Sequence, residues 1–390
     1  MGEPIASGWD HRLSGVQAGN VLDVEDVRRR VDAAVARFAT AKRDQLAQLA
    51  PELAPLAEFA AQLLGGGKRL RPAFCWWAWR GCGGADIEAA MVAAAALEFL
   101  HAGALIHDDL IDDADTRRGL PAAHRAFASR HRQARGRGRD RDFGQAAAII
   151  LGDLCLGWSD ELFAAAGLST AALRAGKPVL DTMRTEVMCG QYLDLLQQVR
   201  AERDVTEATP AGSSEESPDE LPNDLTSAMA VARFKTAKYT IERPLQLGAA
   251  LAGADAAAMA QFSEYGIPLG EAFQLRDDIL GVFGDPAATG KPAGDDLREG
   301  KRTVLIALAL DLAPPHRGLV AGTLGNKAAS DHDLDQIRQV IIASGALRAA
   351  ERLIAQRTTQ ALAGLSRMEL SNGAAEVLRR LALVATDRAS

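Results

Sequence analysis

Apolar residues recur along most of the chain at intervals of three and four, the spacing that places them on one face of an α-helix. The pattern begins in residues 21–38 and continues through 51–64, where a run of glycines ends it. Further helices are predicted over 72–80, 86–108, 144–166, 171–200, 226–252, 256–283, 302–312, 333–343, 346–365 and 373–387. No segment carries a strand signal of comparable strength, so the pattern predicts an all-α protein.

Three segments interrupt the helical pattern. Residues 1–20 lack it and are expected to form a loose tail, which leaves 21–390 as one all-α domain. Residues 130–142 contain six arginines and two glycines, and residues 202–224 contain eight acids against one arginine. Both compositions are too polar to pack and predict solvated loops, although the arginine-rich one could instead contact a membrane surface or a partner.

Composition narrows the classes of partner. The net charge of −7 argues against a general affinity for nucleic acid. We also expect no signal peptide and no membrane span, because no apolar run approaches the roughly 20 residues that a span needs. The cysteines have no metal-binding or disulfide spacing and indicate a reducing, cytoplasmic location; they are Cys75, Cys82, Cys155 and Cys189.

The stretch LIHDDLIDDADTRRG, residues 105–119, places several aspartates at the end of an apolar helix. Asp108 and Asp112 lie one turn apart on one helical face, with Asp109 alongside. Neighbouring carboxylates repel one another, so a solvated acidic loop or a bound cation must compensate them. Oxygen ligands suit hard cations such as Mg²⁺.

A second acidic stretch strengthens the metal hypothesis. In FQLRDDILGVFGD, residues 273–285, an apolar helix presents Gln274, Asp277 and Asp278. Two carboxylate groups on facing helices of a bundle can share metal ions. Accidental surface acids in both places are less probable than in one.

Basic residues lie in several further segments. GGGKRLRP, residues 65–72, places Lys68, Arg69 and Arg71 between a glycine turn and a helix start. Any one such residue is usually a solvated turn residue. Together with two acidic groups they predict a magnesium-bridged diphosphate and separate contacts for a second anion; the others are Arg117, Arg118, Lys235, Lys238, Lys291, Lys301 and Arg302.

In order along the chain, these motifs resemble those of the trans-isoprenyl diphosphate synthases, or polyprenyl synthetases, and in particular bacterial geranylgeranyl diphosphate synthases. The resemblance spans roughly residues 65–305 and rests on GGGKRLRP, EFLHAGALIHDDLIDDADTRRG, IILGDL, GQYLDL, FKTAKY, FQLRDDILGVFGD and GKPAGDDLREGKRT. It implies a homodimer of single-domain helical bundles, each built around a deep central cavity. There the allylic substrate, which is dimethylallyl, geranyl or farnesyl diphosphate, would ionise with the help of three Mg²⁺ ions and be attacked by isopentenyl diphosphate.

The resemblance also implies residue roles. Metal ligands would be Asp108, Asp109, Asp112, Asp277 and Asp278. Contacts to the allylic diphosphate would be Arg117, Lys235, Lys291 and Lys301. Contacts to isopentenyl diphosphate would be Lys68, Arg71, His101 and Arg118, although a lone helical histidine is more often a core residue. Lys235, Thr236 and Gln274 would assist catalysis, the last two by stabilising the carbocation, and the departing diphosphate would take the proton.

The resemblance implies that product length depends on the side chains that precede the first acidic motif. Gly103 and Ala104 are small and would leave room for a growing chain, whereas Leu100 and Leu97, one turn or more deeper, would stop it. This predicts the twenty-carbon geranylgeranyl diphosphate, with longer- or shorter-chain products as the alternative.

One departure from the family pattern is Gly281, which stands where the second motif usually has its last aspartate. If Asp277 dominates coordination, magnesium binding survives this change. Two lesser hypotheses stay open: a terpene cyclase, which would not need Lys68, Arg71 and His101, and a non-catalytic partner subunit of another synthase.

Overall fold

The computed structural model describes residues 27–206, 224–284 and 294–386. The N-terminal tail, Lys291 and most of the acidic segment 202–224 lie outside these ranges. The helices are α1 Val27–Leu49, α2 Ala54–Leu64, α3 Leu70–Gly81, α4 Glu88–Ile111, α5 Ala123–Gln133, α6 Asp140–Ala164, α7 Thr170–Thr206, α8 Asp224–Val231, α9 Arg243–Leu251, α10 Ala256–Phe283, α11 Asp295–Glu299, α12 Val304–Leu312, α13 Arg317–Thr323, α14 Asp331–Ala343, α15 Ala346–Leu365 and α16 Ala374–Thr386.

The all-α prediction is confirmed. Among the described residues the strands are two-residue β1 and β2, Thr116–Arg117 and Leu120–Pro121, which pair antiparallel just after α4. Most predicted helices are present within a few residues of their predicted bounds. The sequence pattern missed α5, α11 and α13, whose apolar stretches are short.

Helix α4 is the central helix and carries the first acidic motif at its C-terminal end. Its middle is rich in alanine, so neighbouring helices approach closely, and Leu97, Phe99 and Leu100 are fully buried. It packs mainly against α6, while α10 packs against α15. By length and hydropathy α4 meets the criteria for a membrane span, contrary to our expectation, but 72% of the apolar window is buried inside the protein.

A π-helical segment, Ala232–Glu242, joins α8 to α9 and contains the FKTAKY motif. Glycines of the flanking helices hold it in place. A Cβ on Gly190 of α7 would lie 2.3 Å from the Lys235 backbone nitrogen, and one on Gly270 of α10 would lie 2.5 Å from the Ala237 Cα. These contacts fix the π segment between α7 and α10, and π turns of this kind occur often at functional sites.

The arginine-rich segment 130–142 is more ordered than predicted. Helix α5 continues to Gln133 and α6 starts at Asp140, so only residues 134–139 form a turn. The His131 ring lies 5.0 Å from the Phe143 ring, and Arg132 pairs with Asp140. The prediction of a loop over 130–142 is therefore wrong at both ends, because these local contacts compensate the charge.

Candidate active site

The first acidic group, Asp108, Asp109 and Asp112, meets basic residues from three other segments at the end of α4. Asp108 Oδ1 lies 3.0 Å from Lys235 Nζ, and Asp108 Oδ2 lies 3.4 Å from Arg117. Asp109 accepts 2.7 Å from Arg117 Nε. Arg117 follows these acids closely in the sequence, whereas Lys235 is distant in the sequence and is brought to them by the fold.

Asp112 caps the C-terminus of α4 and faces a different lysine. Its Oδ2 lies 3.2 Å from Lys301 Nζ. Lys301 also approaches Asp296 at 3.6 Å and Glu299 at 2.5 Å. Burial alone would lower the pKa of Lys301, but Asp296, Asp112 and Glu299 raise it well above its usual value. Lys301 is thus a fixed cation between acids of two segments.

The pKa values of Asp108 and Asp112 are shifted in opposite directions. Burial would raise the pKa of Asp108, but Lys235, Lys301 and Arg117 outweigh burial and hold it well below its usual range. For Asp112 burial prevails, with a smaller contribution from Asp108, and raises the pKa. Metal ions would replace some of this protein charge, since they favour ionised carboxylates.

Lys235 is held between α4 and α7. Its Nζ lies 2.6 Å from Asp194 Oδ2, so the lysine bridges Asp194 and Asp108. Burial would lower its pKa, but Asp108 and Asp194 raise it. Thr236, next along the π segment, is half-buried.

The second acidic group lies on α10. Asp278 is buried and accepts 2.6 Å from the Gln274 amide nitrogen. Burial raises the pKa of Asp278 to about 8, the Gln274 hydrogen bond partly opposes this, and Asp296 and Asp277 add to the rise. Asp277 is half-buried on the same helix.

Asp296 fills the space beside Gly281. A Cβ on Gly281 would lie only 1.8 Å from Asp296 Oδ2. The carboxylate of Asp296 therefore lies where a side chain at position 281 would begin. Because Asp296 also approaches Lys301, it connects the second acidic group with the first.

The donor set fits Mg²⁺ in its chemistry. Asp108 Oδ1 and Asp112 Oδ2 are buried, and each faces one lysine ammonium group, so carboxylate oxygens of this set are directed at a site of positive charge. Across the described ranges, no three His, Cys, Asp or Glu side chains are arranged around one point as in a bound metal site. Lysine and arginine groups occupy the space between the carboxylates, as the ion pairs of Asp108 and Asp112 show.

A second basic cluster, Arg71, His101 and Arg118, lies beside Tyr239. His101 Nδ1 is 2.5 Å from the Tyr239 hydroxyl, and the Arg71 guanidinium stacks 4.1 Å from the Tyr239 ring centroid. Arg71 also donates to Thr240 at 2.9 Å. Burial, and then Arg71 and Arg118, lower the pKa of His101 well below its usual value, so the ring is neutral.

The glycine turn before α3 borders this cluster. A Cβ on Gly67 would lie 3.4 Å from Arg118, which donates to the Leu63 carbonyl at 3.0 Å. Lys68 is exposed on the same turn. Arg69, by contrast, is buried and pairs with Glu98 and Asp32, so it stabilises the fold.

The residues chosen for product length have different surroundings. A Cβ on Gly103 would lie 2.9 Å from the Gly152 carbonyl oxygen and 3.0 Å from Leu156 of α6. Gly103 therefore allows α4 and α6 to approach closely, and its role in product length stays a prediction. Ala104 is half-buried, while Leu97 and Leu100 are fully buried in the core.

Sequence reasoning assigned no role to four residues that the fold places here. Tyr239 orients His101, Asp194 holds Lys235, and Asp296 and Glu299 hold Lys301. All four lie inside motifs that the resemblance rests on, namely FKTAKY, GQYLDL and GKPAGDDLREGKRT. The signal was present, but partners of a lysine cannot be chosen without the fold.

Comparisons with known proteins identify the family of this chain. Residues 54–341 match the family model described as polyprenyl synthetase. A geranylfarnesyl diphosphate synthase of Aeropyrum pernix is 35% identical over 73% of this chain and 79% of its own. A geranylgeranyl diphosphate synthase of Saccharolobus solfataricus is 32% identical over 80% and 83%.

A solved structure extends the comparison. The crystal structure of a geranylgeranyl pyrophosphate synthase from Corynebacterium glutamicum, complexed with isoprenyl diphosphate and magnesium, has a TM-score of 0.84 and 38% identity. The match covers 96% of this chain and 100% of that one. The chain therefore belongs to the polyprenyl synthetase family and is a trans-prenyltransferase.

Proposed function

We propose that the chain condenses isopentenyl diphosphate with an allylic diphosphate in the presence of Mg²⁺, and that its product is geranylgeranyl diphosphate. The observation that carries the proposal is the meeting of Asp108 and Asp112 with Lys235, Lys301 and Arg117. Paired acids and fixed cations of this kind suit a metal-bound diphosphate. The magnesium in the Corynebacterium structure supports the choice of ion.

Asp108, Asp109 and Asp112, with Asp277 and Asp278, would hold the metal, three ions in all. Bound magnesium would neutralise the allylic diphosphate and stabilise the charge that develops as it leaves. Lys235, Lys301 and Arg117 would contact the same diphosphate, together with Lys291. Asp108 and Asp194 raise the pKa of Lys235, so this lysine is positively charged before the diphosphate binds.

The second basic cluster would bind isopentenyl diphosphate. Arg71 and Arg118, with Lys68 on the glycine turn, supply positive charge. The contact of His101 Nδ1 with Tyr239 orients the ring, which leaves Nε2 for the diphosphate. Two separate basic groups are what a reaction between two diphosphates requires.

Chemistry would take place between the two clusters. The Gln274 amide nitrogen donates to Asp278, so its oxygen is available to face the developing carbocation. Thr236 would offer a second oxygen dipole from the π segment. Attack by the isopentenyl double bond then forms the new carbon–carbon bond, and the departing diphosphate accepts the proton.

Product length would be set by the side chains of α4 along which the product grows. Ala104 would offer no barrier, and the fully buried Leu100 and Leu97 would stop the chain deeper. Incubation with Mg²⁺, isopentenyl diphosphate and starters of five, ten or fifteen carbons should give a twenty-carbon product, detected by chromatography with mass detection. A single shorter or longer end product would overturn the length assignment, and no turnover with any starter would overturn the activity.

We also propose that the chain is a homodimer. Large apolar side chains are exposed on α6 and α7, which is unusual for a surface without a partner. They are Phe143, Ile149, Ile150, Met188 and Tyr192. Light scattering after gel filtration should give twice the chain mass, and Ile150→Asp should lower it; a monomer in both cases would refute the dimer. The four free cysteines support a cytoplasmic location.

A further inference from the structure

The arginine-rich segment, residues 130–142, borders a cavity that the proposed reaction does not use. The cavity has a volume of about 120 Å³ and is lined by His124, Arg125, Ala128, Arg132, Asp140 and Arg141. One water molecule takes roughly 30 Å³ in the liquid, so a small oxyanion has room here. The helices α5 and α6 form its walls.

His124 is the least satisfied side chain of this cavity. It is 2% exposed, and neither ring nitrogen has a hydrogen-bond partner. Asp113 Oδ1 lies 3.7 Å from Nε2, which is too far for a hydrogen bond. Burial, and then Arg125, lower the pKa of His124, so the neutral ring can donate one N–H. Buried polar groups are normally hydrogen-bonded to protein, water or an ion, so a molecule bound in the cavity can supply the partner of the His124 ring.

Arginines dominate the lining of the cavity, and aspartates inside and beside it pair with them. Its lining carries three arginines against one aspartate. Two further acids form ion pairs with these arginines. Arg125 lies 3.0 Å from both Asp113 and Asp115, and Arg141 lies 3.9 Å from Asp113. Arg132 pairs with Asp140. Each guanidinium has five donors, so these pairs leave donors for a ligand.

The cavity is formed where α5 packs closely against the start of α6. A Cβ on Gly144 of α6 would lie 2.1 Å from the His124 carbonyl oxygen, so the two helices touch at the cavity. The amide groups at the start of α6 add partial positive charge there. Outside the cavity, Arg130, Arg137 and Arg139 are exposed on the same segment and extend the basic surface.

We propose that this cavity binds a phosphate group, with Arg141, Arg132 and His124 as its contacts. The phosphate could be free inorganic phosphate or the headgroup of an anionic phospholipid. Both present the same oxygens to the arginines. The exposed arginines Arg130, Arg137 and Arg139 are compatible with a lipid surface, and the small cavity between α5 and α6 is compatible with a free ion.

Calorimetric titration of the full chain tests the site with two probes, inorganic phosphate at constant ionic strength and vesicles of phosphatidylglycerol compared with phosphatidylcholine. Arg141→Gln should weaken binding of one probe about tenfold or more, the effect of losing a hydrogen bond to a charged group. Arg137→Gln removes an equal charge from the same segment outside the cavity and should leave binding within about twofold. Arg71→Gln reports binding at the active site.

Loss in Arg141→Gln alone supports the site, and the probe that shows it identifies the source of the phosphate. Equal losses in Arg141→Gln and Arg137→Gln would mean diffuse charge attraction and overturn the proposal. Loss confined to Arg71→Gln, or no binding of either probe, would also overturn it. Phosphate should further shift the NMR resonances of the His124 ring, assigned with His124→Gln, and unchanged resonances at saturation would contradict the contact.

Discussion

The Asp296 carboxylate lies in the space that a side chain at position 281 would need: a Cβ on Gly281 would lie 1.8 Å from Asp296 Oδ2. The second acidic motif lacks its last aspartate, and the carboxylate of Asp296 lies in the vacated space. This relationship removes the main argument for a non-catalytic subunit, since the acidic charge near α10 is kept by another residue.

Restoring the family motif should therefore harm the protein. Gly281→Asp would displace Asp296 and weaken its contact with Lys301, so we expect weaker Mg²⁺ binding and at least a tenfold loss of kcat. Gly157→Ala on α6, where a Cβ meets nothing within 4 Å, is the control and should change neither quantity. Calorimetry with Mg²⁺ and steady-state kinetics measure both; a gain in affinity and rate in Gly281→Asp would contradict the account.

Gly190 should be equally intolerant for a different reason. A Cβ there would lie 2.3 Å from the Lys235 backbone nitrogen, so Gly190→Ala must push the π segment away from α7. Overpacking of this kind costs about 1–3 kcal/mol of stability. We expect a lower Tm in thermal denaturation and a larger loss of kcat than that stability change alone explains, with Gly157→Ala again unchanged. A fully active Gly190→Ala would show that the position of the π segment is not critical.

The raised pKa of Asp278 predicts how the stability of the metal-free protein depends on pH. Its folded-state pKa of about 8 is above the ordinary value near 4, so the folded state binds the extra proton between these values. Stability is greatest at the acidic end of that window and falls as pH rises towards 8. With a chelator present, the Tm of Asp278→Asn should therefore fall less than the Tm of wild type as the pH rises from 6 to 8.5.

The exposed Asp311→Asn is the control for that measurement and should follow wild type. Excess Mg²⁺ should make the Tm of wild type higher than that of Asp278→Asn at pH 8, because the ion stabilises the ionised carboxylate that only wild type has. Parallel curves for wild type and Asp278→Asn in the chelator would show that Asp278 does not titrate in this range.

Substitutions at Ala104 and at Gly103 should separate an effect on product length from an effect on packing. Ala104→Phe adds bulk at a half-buried position before the first acidic group and should shorten the product by five carbons or more. Gly103→Ala meets the Gly152 carbonyl at 2.9 Å and should lower Tm without shortening the product. Mass analysis of products and thermal denaturation distinguish these outcomes; the same product from Ala104→Phe would place the stop elsewhere.

Much of this fold could be predicted from periodicity alone, and the clearest case is α10, whose predicted and observed bounds agree. Long apolar faces repeat often enough to identify a helix. The arginine-rich segment could not be predicted, because its helical ends depend on the contacts of His131 with Phe143 and of Arg132 with Asp140.

The active site was partly predictable for a similar reason. Motifs indicated Asp108, Lys235 and Lys301, yet their pairing required the fold. Asp194 and Asp296 are ordinary acids in the sequence and acquire a role only through contact with Lys235 and Lys301. Gly103 was predicted to leave open space, but only the packing of α4 on α6 shows which side its missing side chain faces.

The metal dependence of turnover tests the central claim most directly. With farnesyl diphosphate and isopentenyl diphosphate, wild type should form the twenty-carbon diphosphate in Mg²⁺ and none in a chelator. Asp108→Asn should retain the fold by circular dichroism and lose at least about a hundredfold in kcat, as expected when stabilisation of a leaving group is removed. Equal turnover in the chelator, or full activity in Asp108→Asn, would contradict the proposed role of this acidic group.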